Sequence, residues 1–404
     1  MPTTDDGRIG ARIKEQRRLA RLSQRELAAL IPYSYSLLNQ VECGARAATE
    51  PFVVAVAAAL GIAPSHLQGP APVTDMQQGR LAALMSPIRE ALDLYDLDHE
   101  PMPHRPMGEL VTEADRICQQ VRATHLRVAA RALPNVITNL TQAARTTPTA
   151  AAWRGLASAY RTAHDIALKV GYPDLAIVAL DRMGWAAEHA SDPCLAAIRQ
   201  YKRALGHAAT APELGRRMVD AGQGLVAEET SREALVVAGQ LHLGASAVAA
   251  KADDQAGVER HIAAARELAA RVGGEAREVH WLSFGQMNVS LHEMGAAITM
   301  RRFDDALRQA QAMKLPPTTL TSRRARFLVD RATVEMETGH TEASLRHLVE
   351  ARRAAPEQTR YHPRTRETIV GLLHTARRTP DSLGHMAAWI GLKGCSQRSQ
   401  NRER

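Results

Sequence analysis

The stretch "LSQRELAALIPYSYSLLNQVECGAR", Leu22–Arg46, decides the fold of the N-terminal part of the chain. It holds two short amphipathic segments joined by a polar turn. Ser23 followed by Glu26 is the pattern of a helix-capping box, and Pro32 predicts the end of the helix that this box opens. The stretch therefore predicts a helix, a tight turn and a second helix.

Further helices are predicted on both sides of this pair. Residues 8–20 place apolar side chains on one helical stripe with arginines around it. The segment capped by Ser34 stops at Gly44, a fourth helix spans Thr49–Leu60, and a short fifth helix lies near Pro64–Leu67. Five short helices this close together predict one compact unit.

Positive charge is concentrated in the same part of the chain. The whole chain has a formal net charge of +8 and a pI near 9.6. From Arg8 to Arg46, eight basic residues minus three acidic ones give +5. A basic unit of this kind suits a polyanionic partner, although a helical bundle with a solvated basic face would show the same charge.

A helix pair that reads DNA needs one helix across the phosphates and a second in the major groove, with polar side chains near its N-terminus. The opening stretch supplies these parts. Gln24 opens the first helix, where its amide can bond a phosphate. The predicted base-reading side chains are Tyr35, Ser36, Asn39 and Gln40. The predicted phosphate contacts are Arg17, Arg18, Arg25 and Arg46.

Composition limits the class of protein. The chain has 404 residues, 45% hydrophobic but only 4% aromatic, and its apolar content is largely Ala and Leu. That balance predicts an all-α protein, and the length predicts two or three domains. The N-terminus has no secretory pattern, and the longest apolar run, Phe52–Leu60, is too short to span a membrane, so we expect a cytoplasmic protein with no membrane partner.

Beyond the first unit the predicted helices become longer and occur in pairs. The proline-rich residues 69–76 predict a linker, residues 77–392 predict longer paired helices, and residues 393–404 predict a disordered basic tail. The clearest pair is Ala325–Pro356, which has the turn, small-residue and terminal-proline spacing of a tetratricopeptide repeat. Stacked repeats of this kind predict an α-solenoid with a concave face.

The opening stretch resembles the lambda-repressor-like, XRE-type helix-turn-helix family. In that family L-S-Q-x-x-L-A opens the first helix and S-x-S-x-x-[SN]-x-[IV]-E-x-G-x-R forms the recognition helix. The matching residues are Ser34, Ser36, Asn39, Val41, Glu42, Gly44 and Arg46. Pro32 stands where the family commonly has Gly in the turn. The downstream stretches "LASAYRTAHDIALKVGY" and "TRYHPRTRET" are similar to actinobacterial XRE regulators with a tetratricopeptide-like C-terminal domain.

The resemblance implies a transcription factor whose second domain senses a signal. In a tetratricopeptide stack the first helix of each pair lines the groove, and this register places Gln240, Asn288 and Arg326 there. An amide row can bond a peptide backbone, and related regulators sense short peptides; simple hydration of these polar groups is the alternative. The weaker ligand candidates on the Trp153 helix are Tyr160, Arg161 and His164.

The sequence patterns that suggest catalysis each lack a required part. Gly222-x-Gly224-x-x-Ala227 has no preceding strand, so it is not a dinucleotide loop. His292 in "HEMGA" lacks the second histidine of a metalloprotease helix, and the four cysteines are too far apart for a zinc pair. The sequence therefore predicts a protein that is not an enzyme and needs no cofactor or metal.

Two classes of function remain. The first is a transcriptional regulator, expected to act as a homodimer on double-stranded operator DNA, because a symmetric dimer reads two half-sites about one helical turn apart. Its helical domain would sense a peptide, a small molecule or a protein partner. The second is a solenoid adaptor whose N-terminal unit only docks or binds DNA without sequence preference.

Overall fold

A computed structural model describes residues 4–20, 22–46, 48–62, 64, 67, 75–97, 105–375 and 380–392. These residues form two compact units, one within residues 1–78 together with 391–392 and one within residues 79–390. Across the described ranges the regular elements are helices, and one isolated antiparallel bridge joins Ala276 to Phe284. The predicted all-α class, a helix-turn-helix unit followed by a body of paired helices, is confirmed.

The N-terminal unit contains four helices in its described residues. They are α1 (Thr4–Leu19), α2 (Gln24–Ala29), α3 (Tyr35–Glu42) and α4 (Glu50–Ala59). Their apolar faces enclose a core formed by Ile13, Leu27, Ile31, Leu38, Val41, Phe52, Val53, Val56, Ala57 and Leu67. The predicted fifth helix near Pro64–Leu67 lies partly outside the described residues.

Local capping signals set the ends of these helices. The Ser23 side chain accepts from the Glu26 backbone N–H, and the Glu26 carboxylate accepts from the Ser23 backbone N–H, so the predicted capping box is present. Ser34 caps α3 by accepting from the Leu37 N–H at 3.2 Å. Gly44, with φ of +76°, adopts the left-handed conformation that closes α3.

A glycine brings α1 and α3 into backbone contact. A Cβ atom at Gly10 would lie 1.9 Å from the Val41 carbonyl oxygen, far inside any allowed distance. We expect Gly10→Ala to push α1 away from α3 and to destabilise the N-terminal unit by about 1–3 kcal/mol. Hydrogen exchange measured on peptides from residues 4–46 should speed up.

The matched control for that substitution is Gly108→Ala. An added Cβ there meets no atom within 4 Å, so the exchange of the same N-terminal peptides should not change. Wild-type exchange in Gly10→Ala would show that α1 and α3 tolerate the methyl group and would contradict the expectation.

The second unit is built from longer helices. Within its described residues they are α5 (Asp75–Asp93), α6 (Met107–Arg122), α7 (Leu126–Thr146), α8 (Ala150–Val170), α9 (Pro173–His189), α10 (Pro193–His207), α11 (Pro212–Val226), α12 (Arg232–Lys251), α13 (Gln255–Val272), α14 (Gln286–Thr299), α15 (Phe303–Ala312), α16 (Thr321–Glu337), α17 (Thr341–Ala354), α18 (Pro356–Tyr361), α19 (Pro363–Thr375) and α20 (Asp381–Trp389). A 3₁₀ turn, Leu94–Asp96, follows α5. Helix α5 begins inside the stretch predicted as a linker, so residues 75 and 76 are helical, whereas residues 69–74 and 393–404 lie outside the described residues.

Consecutive helices pack in pairs, and the pairs form two layers. The most extensive partners are α8 with α9, α10 with α11, α12 with α13, and α16 with α17. The first helices of successive pairs also contact one another, α6 with α8, α10 with α12, α12 with α14 and α14 with α16. These first helices make an inner layer. Its first helix, α6, also contacts its last helix, α16.

Small residues make close pairing possible where the repeat spacing predicted them. In the α16–α17 pair, Gly339 makes the turn with φ of +84°. Ser344 is fully buried and its Oγ donates to the Ala332 carbonyl at 2.7 Å, while Leu348 and Ala351 are fully buried beside it. The spacing that suggested a repeat therefore corresponds to an interface between two helices.

The segment between α13 and α14, residues 273–285, crosses the inner layer. We call it the crossing loop. Its residues His280, Trp281 and Ser283 adopt positive φ angles between 46° and 55°, which cost non-glycine residues free energy. Phe284 is fully buried, and it fills the space above Gly239, where any side chain would clash with its ring. The packing of Phe284 fixes the loop in this strained path.

One described helix, α12, is long and apolar enough to meet the length and composition of a membrane span, but 67% of that segment is buried inside the helical body. Its apolar composition therefore suits a core helix. Cys43, Cys118 and Cys194 are free thiols. Cys395 lies outside the described residues.

Candidate nucleic-acid interface

Helix α3 separates its side chains into a buried and an exposed face. Leu38 and Val41 are buried in the core of the N-terminal unit, with exposures of 0% and 1%. The four side chains predicted to read bases are all exposed: Tyr35, Ser36, Asn39 and Gln40. The structure thus brings the predicted base-reading residues together on one accessible face at the N-terminal half of the helix.

Gln24 joins the two helices of the motif. Its side-chain amide donates to the Glu42 carboxylate at 2.7 Å and, with a long bond of 3.4 Å, to the Asn39 side-chain carbonyl. Gln24 was predicted to bond a phosphate, but its amide hydrogens are already used inside the unit. Its observed role is to set the position of α3 relative to α2.

Arg17 is not a surface residue, which corrects its predicted role as a phosphate contact. Its Nε and Nη2 donate to the two Glu42 oxygens at 2.7 and 2.8 Å, and its Nη1 donates to the Leu22 carbonyl at 2.8 Å. The side chains of Arg17 and Glu42 are only 9% and 2% exposed. Hydrogen bonding to Glu42 raises the pKa of the Arg17 guanidinium. The pair is an internal connection between α1 and α3.

The other predicted phosphate contacts remain available. Arg18, Arg25 and Arg46 are exposed, and so is Lys14 on α1, which sequence analysis counted only as charge. Exposed cations beside a recognition helix can neutralise phosphates and fix the register of the protein on a duplex. Three of the four arginines predicted to contact phosphates are therefore exposed.

Comparison with known proteins identifies the class of this unit. A family model described as "Helix-turn-helix domain" matches residues 8–68. No curated protein matches the chain. Among solved structures, the crystal structure of Bacillus thuringiensis PlcR in complex with the peptide PapR7 and DNA is similar at 13% identity, with a TM-score of 0.34, over 84% of this chain and 99% of that chain. The N-terminal unit is a helix-turn-helix domain, a class of unit that binds DNA.

The second predicted site, in the helical body, is partly assembled. Gln240 on α12 and Asn288 on α14 face the inner layer and meet: the Asn288 amide donates to the Gln240 carbonyl at 3.3 Å, and the Gln240 amide donates to the Tyr201 hydroxyl at 2.8 Å. Both residues are almost fully buried, at 1% and 2% exposure. The predicted amide row exists, but in this conformation its groups bond one another.

Arg326 does not join this row. It is exposed, its Nε donates to the Asp330 carboxylate at 2.8 Å, and its Nη1 contacts the His362 ring at 2.7 Å. Arg364 on α19 also donates to Asp330, at 2.6 Å. Arg326 therefore belongs to a separate ion-pair group that connects α16 to α19.

Two of the three candidates on α8 are core residues, which corrects their prediction as ligand contacts. Tyr160 is fully buried against α7, with its hydroxyl 3.5 Å from Thr141, and burial raises its pKa to about 12. His164 lies 3.1 Å from the Ala176 carbonyl, and burial and then Lys202 lower its pKa to about 4, so its ring is neutral. Neither side chain offers a surface to a ligand.

Arg161, the third candidate, has a different setting. It is fully buried, and it faces the inner layer beside a group of charges that sequence analysis missed: Arg122, Asp165, Lys169, Lys202 and Arg323. A signal for part of this group was present in the sequence. Arg161, Asp165 and Lys169 are four residues apart along α8, so they lie on one face of the helix.

Proposed function

We propose that this protein is a sequence-specific, DNA-binding transcriptional regulator of the XRE type. In this proposal α3 enters the major groove of an operator, with Ser36, Asn39 and Gln40 facing base edges and Tyr35 at the N-terminal end of the helix. Arg18, Arg25 and Arg46 neutralise phosphates on either side. The protein acts in the cytoplasm as a homodimer, and its helical body responds to an effector.

The observation that carries the proposal is how α3 is held. The helix is fixed from behind by its apolar side chains and by the Arg17–Glu42 pair, while its outer face keeps a row of short polar groups exposed. The Asn39 carboxamide is exposed, and a carboxamide is the group that pairs with adenine in the major groove. A solvated basic bundle has no need of such an arrangement.

The proposal separates base reading from phosphate binding. We expect Asn39→Ala to remove most of the preference for the operator, since a bidentate base contact is worth about 1–3 kcal/mol. Arg25→Ala should weaken binding to all sequences and reduce the slope of log K against log salt by about 0.9. Fluorescence anisotropy with operator and scrambled duplexes over a salt series measures both quantities.

The operator itself comes from selection of bound fragments out of random and host-genomic duplex DNA, using full-length protein at physiological salt. A recovered palindrome that disappears with Asn39→Ala supports a dimeric regulator. Lys251→Met, a substitution of an exposed cation on the helical body, is the control and should select the same sequence. Enrichment of no sequence by protein that still binds DNA would instead favour the adaptor.

The adaptor remains the alternative of a different class. It requires a helical body that holds a protein partner and an N-terminal unit without base preference. Neither the loss of sequence preference in Asn39→Ala nor the uniform weakening with a lower salt slope in Arg25→Ala would then be observed. A helix-turn-helix domain with a helical body gives no reason to expect catalysis, and the proposal includes no enzymatic step or cofactor.

A further inference from the structure

Five cationic side chains surround one carboxylate in the inner layer of the helical body. They are Arg122 on α6, Arg161 and Lys169 on α8, Lys202 on α10 and Arg323 on α16, and the carboxylate is Asp165 on α8. We call this group the inner basic cluster. Five positive charges against one negative charge leave a formal charge of +4 in a largely buried space.

The carboxylate is shared by only two of the cations. Arg122 Nη2 donates to one Asp165 oxygen at 2.6 Å and Lys202 Nζ donates to the other at 2.7 Å. Burial alone would raise the pKa of Asp165, but Lys202 and Arg122 outweigh that effect and hold it well below its usual range. Asp165 is therefore ionised, and its charge is already fully engaged.

The remaining three cations bond neutral acceptors. Arg161 Nη1 donates to the His280 carbonyl at 2.6 Å and Arg323 Nη2 donates to the Leu282 carbonyl at 3.0 Å, both in the crossing loop. Lys169 Nζ donates to the Gln358 side-chain oxygen at 2.5 Å. A neutral carbonyl satisfies a hydrogen bond but leaves the positive charge uncompensated.

Two donors in the cluster have no acceptor. The Nε atoms of Arg122 and Arg161 are buried and make no hydrogen bond to any residue of the described ranges. Arg161 is fully buried, so an unused donor there is costly unless something else accepts from it. An unpaired buried guanidinium hydrogen next to excess positive charge is the setting of an anion site.

The cluster is in contact with solvent at its edge. The side chains of Arg122 and Lys202 each keep 15% exposure, and Lys169 and Arg323 are partly exposed. Burial, and then repulsion from Arg122, lower the pKa of Lys169 to about 7. A negatively charged group that entered here would relieve this repulsion and favour the protonated lysine.

We propose that the inner basic cluster binds a small organic or inorganic anion that carries a carboxylate or phosphate group, and that this anion is the effector of the helical body. The ligand is small because Arg161 is fully buried and because α16 and α6 close the inner layer around the cluster. Guanidinium groups suit both carboxylate and phosphate through paired N–H donors. The assignment of the anion as an effector depends on the proposed regulatory function; the binding itself does not.

Anion binding also connects the cluster to the crossing loop. The loop supplies the two carbonyls that Arg161 and Arg323 now use, and it holds three non-glycine residues in strained conformations. An anion competes with those carbonyls for the same guanidinium groups. Occupation of the cluster therefore favours release of the loop segment 280–283, so binding of the anion would change the conformation of the crossing loop.

The test is titration calorimetry on the full-length protein with inorganic phosphate, citrate and a tetraglutamate peptide, each at pH 8 in HEPES and in Tris. We expect phosphate or citrate to bind with net proton uptake, because the bound anion raises the pKa of Lys169 from about 7. Lys169→Met and Arg323→Gln should each weaken binding by roughly tenfold to a hundredfold, the effect of one charge-assisted hydrogen bond. Lys251→Met, at an exposed position, should bind like the wild type.

The outcomes separate the inference from the proposed function. Absence of binding by phosphate and citrate, or a response to tetraglutamate alone, overturns the small-anion site. Equal affinity in Lys169→Met, Arg323→Gln and Lys251→Met shows an adventitious ion only and overturns it as well. Anisotropy with the selected operator, with and without the anion, is measured on the same samples. If the bound anion does not change the affinity for the operator, its role as effector is overturned. If the anion binds but no operator is found, the anion site is supported and the proposed regulatory function is overturned.

Discussion

Glu42→Ala should unfold the N-terminal unit and abolish DNA binding, although Glu42 touches no DNA in the proposed complex. The substitution leaves the Arg17 guanidinium buried without its carboxylate and also removes an acceptor from Gln24. Breaking one partner of a buried ion pair costs about 3–5 kcal/mol. A unit of about 60 residues is stable by only roughly 3–9 kcal/mol, so the loss is comparable with its entire stability.

The double substitution Arg17→Met with Glu42→Leu should behave in the opposite way. It removes both charges from the buried site, and replacing a buried ion pair by apolar residues of similar size is commonly neutral or stabilising. We therefore expect the double variant to be folded and to bind the operator, whereas each single variant fails. Hydrogen exchange of peptides from residues 4–62 and operator anisotropy measure folding and binding separately.

The control for these variants is Arg25→Met, which removes an exposed cation of the same kind. It should leave hydrogen exchange unchanged and weaken DNA binding only modestly. If Arg17 contacted phosphate, as its place in the sequence suggested, Arg17→Met would resemble Arg25→Met and Glu42→Ala would bind DNA normally. Those two results together would contradict the buried-pair interpretation.

The N-terminal unit was predictable because its signals are local. Ser23, Ser34 and Gly44 act within one helical turn of their own positions, so the sequence alone contains the helix starts and stops. The partner of Arg17 was not predictable in this way. Glu42 is 25 residues away, and only the packing of α1 on α3 shows that the two charges meet inside the unit rather than in solvent.

The helical body shows the same division between local and distant causes. Repeat spacing placed Gln240, Asn288 and Arg326 on one groove; the side chains of Gln240 and Asn288 meet, whereas Arg326 bonds Asp330 instead. The path of the crossing loop, by contrast, includes positive φ angles at His280 and Trp281. No sequence rule predicts such angles at these residue types, because they persist only where tertiary contacts impose them.

The inner basic cluster was missed for a related reason. Half of its six residues shared a visible pattern, since the spacing of Arg161, Asp165 and Lys169 places them on one face of α8. The remaining cations come from three other helices, and Arg323 is more than 150 residues away in sequence. An isolated charge on a helix is normally solvated, so only the layered packing of first helices reveals that these charges share one buried space.

Asp165→Ala should destabilise the helical body strongly. The side chain is 5% exposed and accepts from Arg122 and Lys202, so its removal leaves both cations in a space already crowded with positive charge. We expect a loss of about 3–5 kcal/mol, or a fall in Tm of roughly 5–8 °C for a unit of this size. Fluorescence of the body's tryptophans, among them the buried Trp153, follows this transition.

The control is Asp181→Ala on α9. Asp181 also faces two arginines, Arg182 and Arg199, at 3.6 and 3.2 Å, but its side chain is 66% exposed. Because surface ion pairs contribute little, the cost should be below about 1 kcal/mol. Equal Tm losses in the two variants would show that burial of Asp165 does not matter and would contradict the prediction.

The pH dependence of the Asp165 effect follows from its pKa. The pKa in the folded protein lies well below the usual value, so folding favours the ionised carboxylate, and its contribution is complete above a pH of about 4 and lost as the pH falls through the lower folded value. The Tm difference between wild type and Asp165→Ala should therefore shrink as the pH falls from 5 to below about 4. A difference that instead decreases between pH 8 and 6 would mean that another group titrates in its place.

Added phosphate should partly restore the stability that Asp165→Ala loses. Asp165→Ala frees Arg122 and Lys202 from their carboxylate, so an anion in the inner basic cluster meets two more unpaired donors than it does in the wild type. Phosphate should thus raise the Tm of Asp165→Ala by more than it raises that of the wild type, while Asp181→Ala should respond as the wild type does. An equal rise in all three proteins would mean that phosphate acts on the whole surface, and the argument for direct compensation at Arg122 and Lys202 would fail.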